Sequence, residues 1–210
     1  MTEIIPAILP KSYRGLEEGL VRLQHVAPLV QIDLVDTNVL AGREAPPLWE
    51  EFDFEFDIML PNPAAEVEGC VALGASRIIV HAHTGSALEA VQFLQQYRNG
   101  DFPILVGIAL SSTGKPEELK PFEGLYDYVQ VMGIAHIGKQ GEPFDSRVLE
   151  TIKTLRAAYP ELVIQVDGAA ATHPKELVEA GANRLVVGSA IINADNPKEM
   201  VQSIYSKANA

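Results

Sequence analysis

The chain has 210 residues, of which 47% are hydrophobic and 21% charged, a globular balance with material for one large core and no signature of disorder. Its 16 Lys and Arg stand against 28 Asp and Glu, a net charge of −12, which repels nucleic acid and anionic membrane surfaces and argues against both as partners. A phosphorylated small molecule stays open as a substrate, because backbone N–H groups can hold an anion locally whatever the global charge.

Cys70 is the only cysteine, so no disulfide forms within the chain, and its apolar setting, Gly69-Cys70-Val71-Ala72-Leu73, suggests inert packing. The first residues, Met-Thr-Glu-Ile-Ile-Pro, lack a basic region followed by an apolar one, and no uninterrupted apolar run approaches about 18 residues. A cytoplasmic protein is the expectation.

Along the chain, short runs rich in Val, Ile and Leu alternate with amphipathic stretches, the pattern of βαβ units. A strand is expected at 4–9 and a helix at 13–26, opened by Ser12. The strand at 29–35 is followed by a segment with weaker signals. A strand at 54–60 leads through Asn62–Pro63 into a helix at 64–73, and Gly74–Ala75 turns the chain back into a strand at 77–81. Then come a helix at 87–98, a strand at 104–110, a helix at 116–122 and a strand at 126–132. Asp145 opens a helix at 146–158, where Val148, Ile152 and Leu155 fall at helical spacing. The strand at 162–166, the helix at 174–180, a second Gly-Ala turn at Gly181–Ala182, the strand at 184–187 and a helix at 197–207 after Asn196 complete the chain. Eight evenly spaced strand–helix units without a linker predict one (β/α)8 barrel domain over 1–210; an open doubly wound sheet is the competing architecture.

In such a barrel the strand carboxyl ends aim side chains at one mouth, so polar residues there are the first candidates for chemistry. Alternation puts Gln31, Asp33 and Val35 on one face of strand two and Ile32 and Leu34 on the other. Asp57 near the end of strand three and Asp167 after strand seven converge with Asp33. Three interior carboxylates are costly unless paired, hydrogen-bonded or metal-bound; any one alone would more simply cap a turn or meet a lysine. His81 and His83 close strand four, but a lone histidine is more often a hydrogen-bonded packing residue, and His25 and His136 are read that way first. Small-residue turns follow the last three strands: Gly138-Lys139-Gln140-Gly141, Gly168-Ala169-Ala170 and Gly188-Ser189-Ala190. Together they match the usual phosphate site of a barrel.

Seven segments resemble the ribulose-phosphate 3-epimerase family of ribulose-phosphate-binding barrels: Pro6-Ala7-Ile8-Leu9, Gln31-Ile32-Asp33-Leu34-Val35-Asp36, Met59-Leu60-Pro61-Asn62-Pro63, Val80-His81-Ala82, Val131-Met132, Val166-Asp167-Gly168 and Gly188-Ser189-Ala190-Ile191. The resemblance implies a phosphate-binding barrel that interconverts D-ribulose 5-phosphate and D-xylulose 5-phosphate, with Asp33 and Asp167 exchanging a proton on opposite faces of an enediolate. It implies a divalent metal, Zn²⁺ or Fe²⁺, that stabilises the oxyanion. It also implies substrate contacts from Met59, His81, Met132, Gly138, Lys139, Gly141, Gly168, Ala169, Gly188 and Ser189, and a homo-oligomer.

The sequence departs from that family where metal chemistry resides. Gln31 and Asp57 stand where the family has two His ligands, so Gln31, Asp33, Asp57 and Asp167 form an all-oxygen set better suited to Mg²⁺ or Mn²⁺; alternatively, no metal binds. Ala7 replaces a substrate-contacting Ser, and the Gly-Phe-Gly-Gly phosphate loop reads Ile137-Gly138-Lys139-Gln140-Gly141, with Lys139 offering a charge in exchange. Ala169 stands at a family Gly, which requires its backbone to keep a negative φ. Related decarboxylases carry Asp-x-Lys-x-x-Asp where this chain reads Asp33-Leu34-Val35-Asp36, and no lysine falls inside an expected strand to form a Schiff base. A barrel acting on another phosphorylated metabolite and a non-catalytic sugar-phosphate binder remain the alternatives.

Overall fold

The computed structural model describes residues 2–42, 45–139 and 141–210. Eight parallel strands close into a barrel in chain order: β1 (Glu3–Ile8), β2 (Leu29–Leu34), β3 (Asp53–Ile58), β4 (Ala75–His81), β5 (Leu105–Leu110), β6 (Tyr128–Met132), β7 (Val163–Asp167) and β8 (Arg184–Val187). β1 pairs with β8, Glu3 opposite Arg184 and Pro6 opposite Val187, so the sheet of the described residues is closed and the doubly wound alternative falls. Every expected strand is present, its ends within two residues of those read from the sequence.

Around the barrel run α1 (Tyr13–Leu23), α2 (Val67–Ala72), α3 (Ala87–Leu94), α4 (Val148–Ala158), α5 (Pro174–Ala180), α6 (Ser189–Ile192) and α7 (Pro197–Ala208). Period two in the strands and period 3.6 in the helices meet in one apolar layer. Ile32 and Leu34 of β2 and Phe54, Phe56 and Ile58 of β3 share it with Leu16, Leu20 and Leu23 of α1 and Ile152 and Leu155 of α4. Leu20→Ala at this seam would leave a cavity and cost about 2–5 kcal/mol.

Caps follow the sequence signals. The Ser12 hydroxyl accepts from the Gly15 N–H at 3.0 Å, the Asn196 side chain accepts from the Glu199 N–H at 3.2 Å, and Gly74 and Gly181 end their helices at φ +81° and +120°. Several expected helices are shorter or tighter. α1 stops at Leu23, because His25 turns at φ +62° ahead of Pro28. Residues 64–73 divide into a 3₁₀ turn at Pro63–Ala65 and α2, and Pro116–Phe122 is 3₁₀ throughout, since Pro121 supplies no N–H. After β2 only a 3₁₀ turn at Thr37–Val39 is formed among the described residues. α6 lies inside what the sequence presents as a glycine turn; four residues are too few for a periodic signal.

Candidate active site

The strand carboxyl ends surround a cavity of about 310 Å³ whose wall includes the carboxylates of Asp33 and Asp167. Met59 and Met132 supply apolar flanks, and Gly138, Lys139 and Gly141 reach it from the connection after β6. Gly168 and Ala169 after β7 and Gly188 and Ser189 after β8 complete the rim. Gln140 of the β6 turn lies outside the described residues. Glu142, also on the wall, is paired with His136 at 2.9 Å.

Register builds the acid cluster. Asp33 is opposite Asp57 across β2 and β3, and Asp167 is opposite Met132 across β7 and β6. Oxygens of Asp33, Asp57 and Asp167 lie within 4.8 Å of one another. Burial, reinforced by the charges of Asp167 and Asp57, raises Asp33 well above the usual carboxylate range; burial and Asp57 push Asp167 up to about 7. Both carboxyls therefore keep a proton more readily than an ordinary carboxylate, which suits a pair that takes and returns protons near neutral pH.

Three expected site residues are placed differently. Asp57 does not line the cavity but lies buried beneath it, with Oδ1 at 2.9 Å from His81 Nε2 and Oδ2 accepting from Gln130 Nε2 at 2.7 Å. His81 is likewise buried. Burial works against its positive charge, but the Asp57 carboxylate outweighs that and holds the imidazole above its ordinary value. It is a buried partner to Asp57, and the neighbouring depression beside Met59 and His83 reaches it. Gln31 donates from Nε2 to Asp33 Oδ1 at 2.7 Å and turns its oxygen down to Gln165 Nε2 at 3.2 Å, so it presents a donor where a metal ligand was expected.

The sequence reading missed the layer beneath. Gln165 Nε2 also donates to Glu55 Oε1 at 2.7 Å and to Gln130 Oε1 at 2.9 Å, and Tyr128 donates to Glu55 Oε2 at 2.7 Å. Gly107 on β5 makes room for that tyrosine, since a Cβ there would lie 2.7 Å from its ring. Below, Arg184 meets Glu3 at 3.0 Å and stacks 5.2 Å from the Tyr128 ring centre, while Arg77 lies 3.9 Å from Glu55. The available signal was period two: Glu55, Gln130 and Gln165 each precede Asp57, Met132 and Asp167 by two residues and share their inward face.

Ala169 departs from the expected backbone conformation. It sits at φ +52°, directly after Gly168 at φ +98°, and not at the negative φ its side chain prefers. The left-handed turn is imposed from outside, for Gly168 is wedged against Ile134 and its oxygen lies 2.2 Å from where a Cβ on Gly133 would stand. An alanine so held costs about 1–2 kcal/mol of local strain. Cys70 is buried with its thiol pushed up to about 12, as its apolar setting suggested.

Asp33, Asp57 and Asp167 form a cluster that could bind a metal. The donors fit a hard cation, because all three are carboxylates whose mutual repulsion a positive ion would relieve. His81, the nearby nitrogen, is engaged with Asp57.

A barrel with aspartates at the ends of β2, β3 and β7 and glycine turns after β6, β7 and β8 can be compared with known proteins. The family model described as the Ribulose-phosphate 3 epimerase family matches residues 3–192. A ribulose-phosphate 3-epimerase of Schizosaccharomyces pombe is 26% identical, over 96% of this chain and 92% of its own. One of Bacillus subtilis is 25% identical, over 97% and 98%. Among solved structures, KGPDC from Streptococcus mutans superposes with a TM-score of 0.77 at 12% identity, covering 99% of this chain and 97% of that one, a likeness of fold. Both the strand order and the span of these matches lead to one conclusion: the chain belongs to the ribulose-phosphate 3-epimerase family.

Proposed function

We propose that this protein is a sugar-phosphate isomerase that interconverts D-ribulose 5-phosphate and D-xylulose 5-phosphate. The observation that carries the reading is the pair Asp33 and Asp167, which line one cavity with oxygens within 4.8 Å of each other. The ionised member takes the proton from carbon three, beside the ketone, and the electron pair left behind is delocalised into an enediolate. The protonated member returns a proton to the other face, inverting the centre and leaving the pair ready for the reverse reaction. About 310 Å³ suits a ligand of pentulose phosphate size.

Met59 and Met132 flank the reacting carbons with apolar surface that excludes water. The small residues Gly138, Gly168, Gly188 and Ser189 let a phosphate approach the main chain, and the exposed ammonium of Lys139 adds charge at the rim. Asp33, Asp57 and Asp167 would hold a divalent cation, with Mg²⁺ or Mn²⁺ suiting an oxygen-only set. When bound, that cation supplies Lewis-acid stabilisation of the enediolate oxygen. Working in the cytoplasm on a phosphorylated metabolite, as a homo-oligomer, accords with the family resemblance.

The test is incorporation of deuterium at carbon three of D-ribulose 5-phosphate in D₂O. Epimerised product carrying deuterium at carbon three is expected from the wild type and not from Asp33→Asn or Asp167→Asn; equal yields of it from both variants would refute the assignment. A second reading, action on a different phosphorylated metabolite in the same cavity, is favoured by one observation: Gln31 presents N–H to Asp33 where the family has a metal-binding His. Turnover of pentulose phosphate at an ordinary kcat of about 1–10³ s⁻¹ would eliminate it.

A further inference from the structure

The floor of the cavity is a chain of hydrogen bonds with one direction. At its lower end Glu55 accepts from the Tyr128 hydroxyl and from Gln165 Nε2, both at 2.7 Å. The same Gln165 nitrogen faces Gln130 Oε1 at 2.9 Å and Gln31 Oε1 at 3.2 Å. At the upper end the two remaining amide nitrogens donate to carboxylates, Gln31 to Asp33 and Gln130 to Asp57, each at 2.7 Å. All three glutamines are fully buried.

Each amide nitrogen faces an acceptor oxygen, Gln165 that of the two upper glutamines and they those of the carboxyls, so the amides run head to tail. Gln165 is the branch point. Three acceptors surround its nitrogen, whereas its own oxygen is buried with no partner among the described residues. That lone oxygen shows which contacts decide the orientation, since turning the amide over would satisfy the oxygen worse still, against Glu55.

We propose that Gln165 is a positioning residue: by holding the oxygens of Gln31 and Gln130 downward, it turns their N–H groups up against Asp33 and Asp57. Any cation at the cluster is therefore held by carboxylates alone, and Gln31 is excluded as a ligand. The inference builds on the reading of Asp33, Asp57 and Asp167 as the working cluster, but its tests do not use turnover, so it stands or falls separately from the epimerase assignment.

Gln165→Glu replaces the branching NH₂ by oxygen. An ionised carboxyl there donates to neither upper glutamine and a protonated one to a single partner, so at least one of the two reverses and offers its oxygen to the cluster. Mn²⁺ binding to chelator-treated protein, read from the electron spin resonance of free Mn²⁺, is expected to tighten about tenfold, as a donor facing the cluster becomes a ligand. Adding Gln31→Leu and Gln130→Leu should remove the gain. No tightening, or equal tightening in the triple variant, which would mean charge alone, overturns the proposal.

Should Gln165→Glu not fold, side-chain amide NMR decides in the wild-type protein. The Gln31 and Gln130 NH₂ signals, assigned by their loss in the Leu variants, are expected to exchange slowly with solvent and to stay so when Mg²⁺ is added. Exchange at the rate of exposed amides, with or without Mg²⁺, would overturn it.

Discussion

At the carboxyl ends of β6, β7 and β8 the chain presents glycines, alanines and one lysine around an open cavity, whereas one inward-facing residue lower on the same barrel it presents Gln31, Glu55, Gln130 and Gln165, packed without exposure. The rim is made of what is left out. Small residues there expose main chain, and strain is tolerated at Ala169. The floor is made of what is satisfied, with nearly every buried polar atom bonded to another side chain. Between them lie Asp33 and Asp167, open to the cavity on one side and, for Asp33, fixed from below by an amide. A site that moves protons needs both: a soft, approachable rim for the ligand and a stiff floor that keeps the acid and base in place.

The largest effects are expected from removing the groups between the two layers. Asp33→Asn and Asp167→Asn should each lower kcat/KM for the pentulose phosphate by about 10²–10⁴-fold. Stabilisation of the fold by the sugar phosphate should survive, since the rim is untouched; loss of ligand-induced stabilisation in either would mean that the carboxylates hold the substrate rather than act on it. Next in size are changes to the floor. His81→Leu leaves Asp57 buried without its ionic partner and should cost about 3–5 kcal/mol in urea unfolding. Gln130→Leu strips one donor from the same carboxylate and should cost about 1–3 kcal/mol. Rim substitutions should do far less.

These two layers were unequally visible in the sequence. The rim announced itself, because Gly188-Ser189-Ala190 and Val166-Asp167-Gly168 are residue types whose backbone freedom or charge has few other uses at a strand end. So did the barrel, through runs such as Ile104–Leu110 that only a sheet buried on its outer face accepts. The floor stayed hidden. A glutamine inside a strand carries no motif, and Gln130 and Gln165 gain meaning only when the barrel brings β2, β3, β6 and β7 around one axis. For the same reason Gln31 read as an oxygen ligand, because the orientation of an amide is set by its neighbours and not by its own identity.

Two smaller effects sharpen the account of the rim. Ala169→Gly relieves a left-handed alanine at φ +52° and should gain up to about 1 kcal/mol, the relief being partly offset by the freer unfolded chain. A loss of stability would show that the Ala169 methyl group packs to advantage. Asp145, at the far end of the β6 connection, is held below the usual carboxylate range by hydrogen bonds from Arg147 and then Ser112. A depressed folded value means its contribution is fully present above the unfolded value of about 4 and lost as pH falls through the folded one. The gap in Tm between wild type and Asp145→Asn should therefore be constant from neutral pH to about 5 and shrink in more acidic solution; a gap that widens on acidification would reverse the assignment.

The measurement that bears most directly on the central claim is a coupled assay of D-ribulose 5-phosphate conversion to D-xylulose 5-phosphate. It is run on chelator-treated protein and again with Mg²⁺, Mn²⁺, Zn²⁺ or Fe²⁺ restored, beside Asp33→Asn and Asp167→Asn. The account predicts turnover by the wild type under at least one of these conditions and its loss in both variants. No conversion under any of them, or undiminished conversion by both variants, would contradict it.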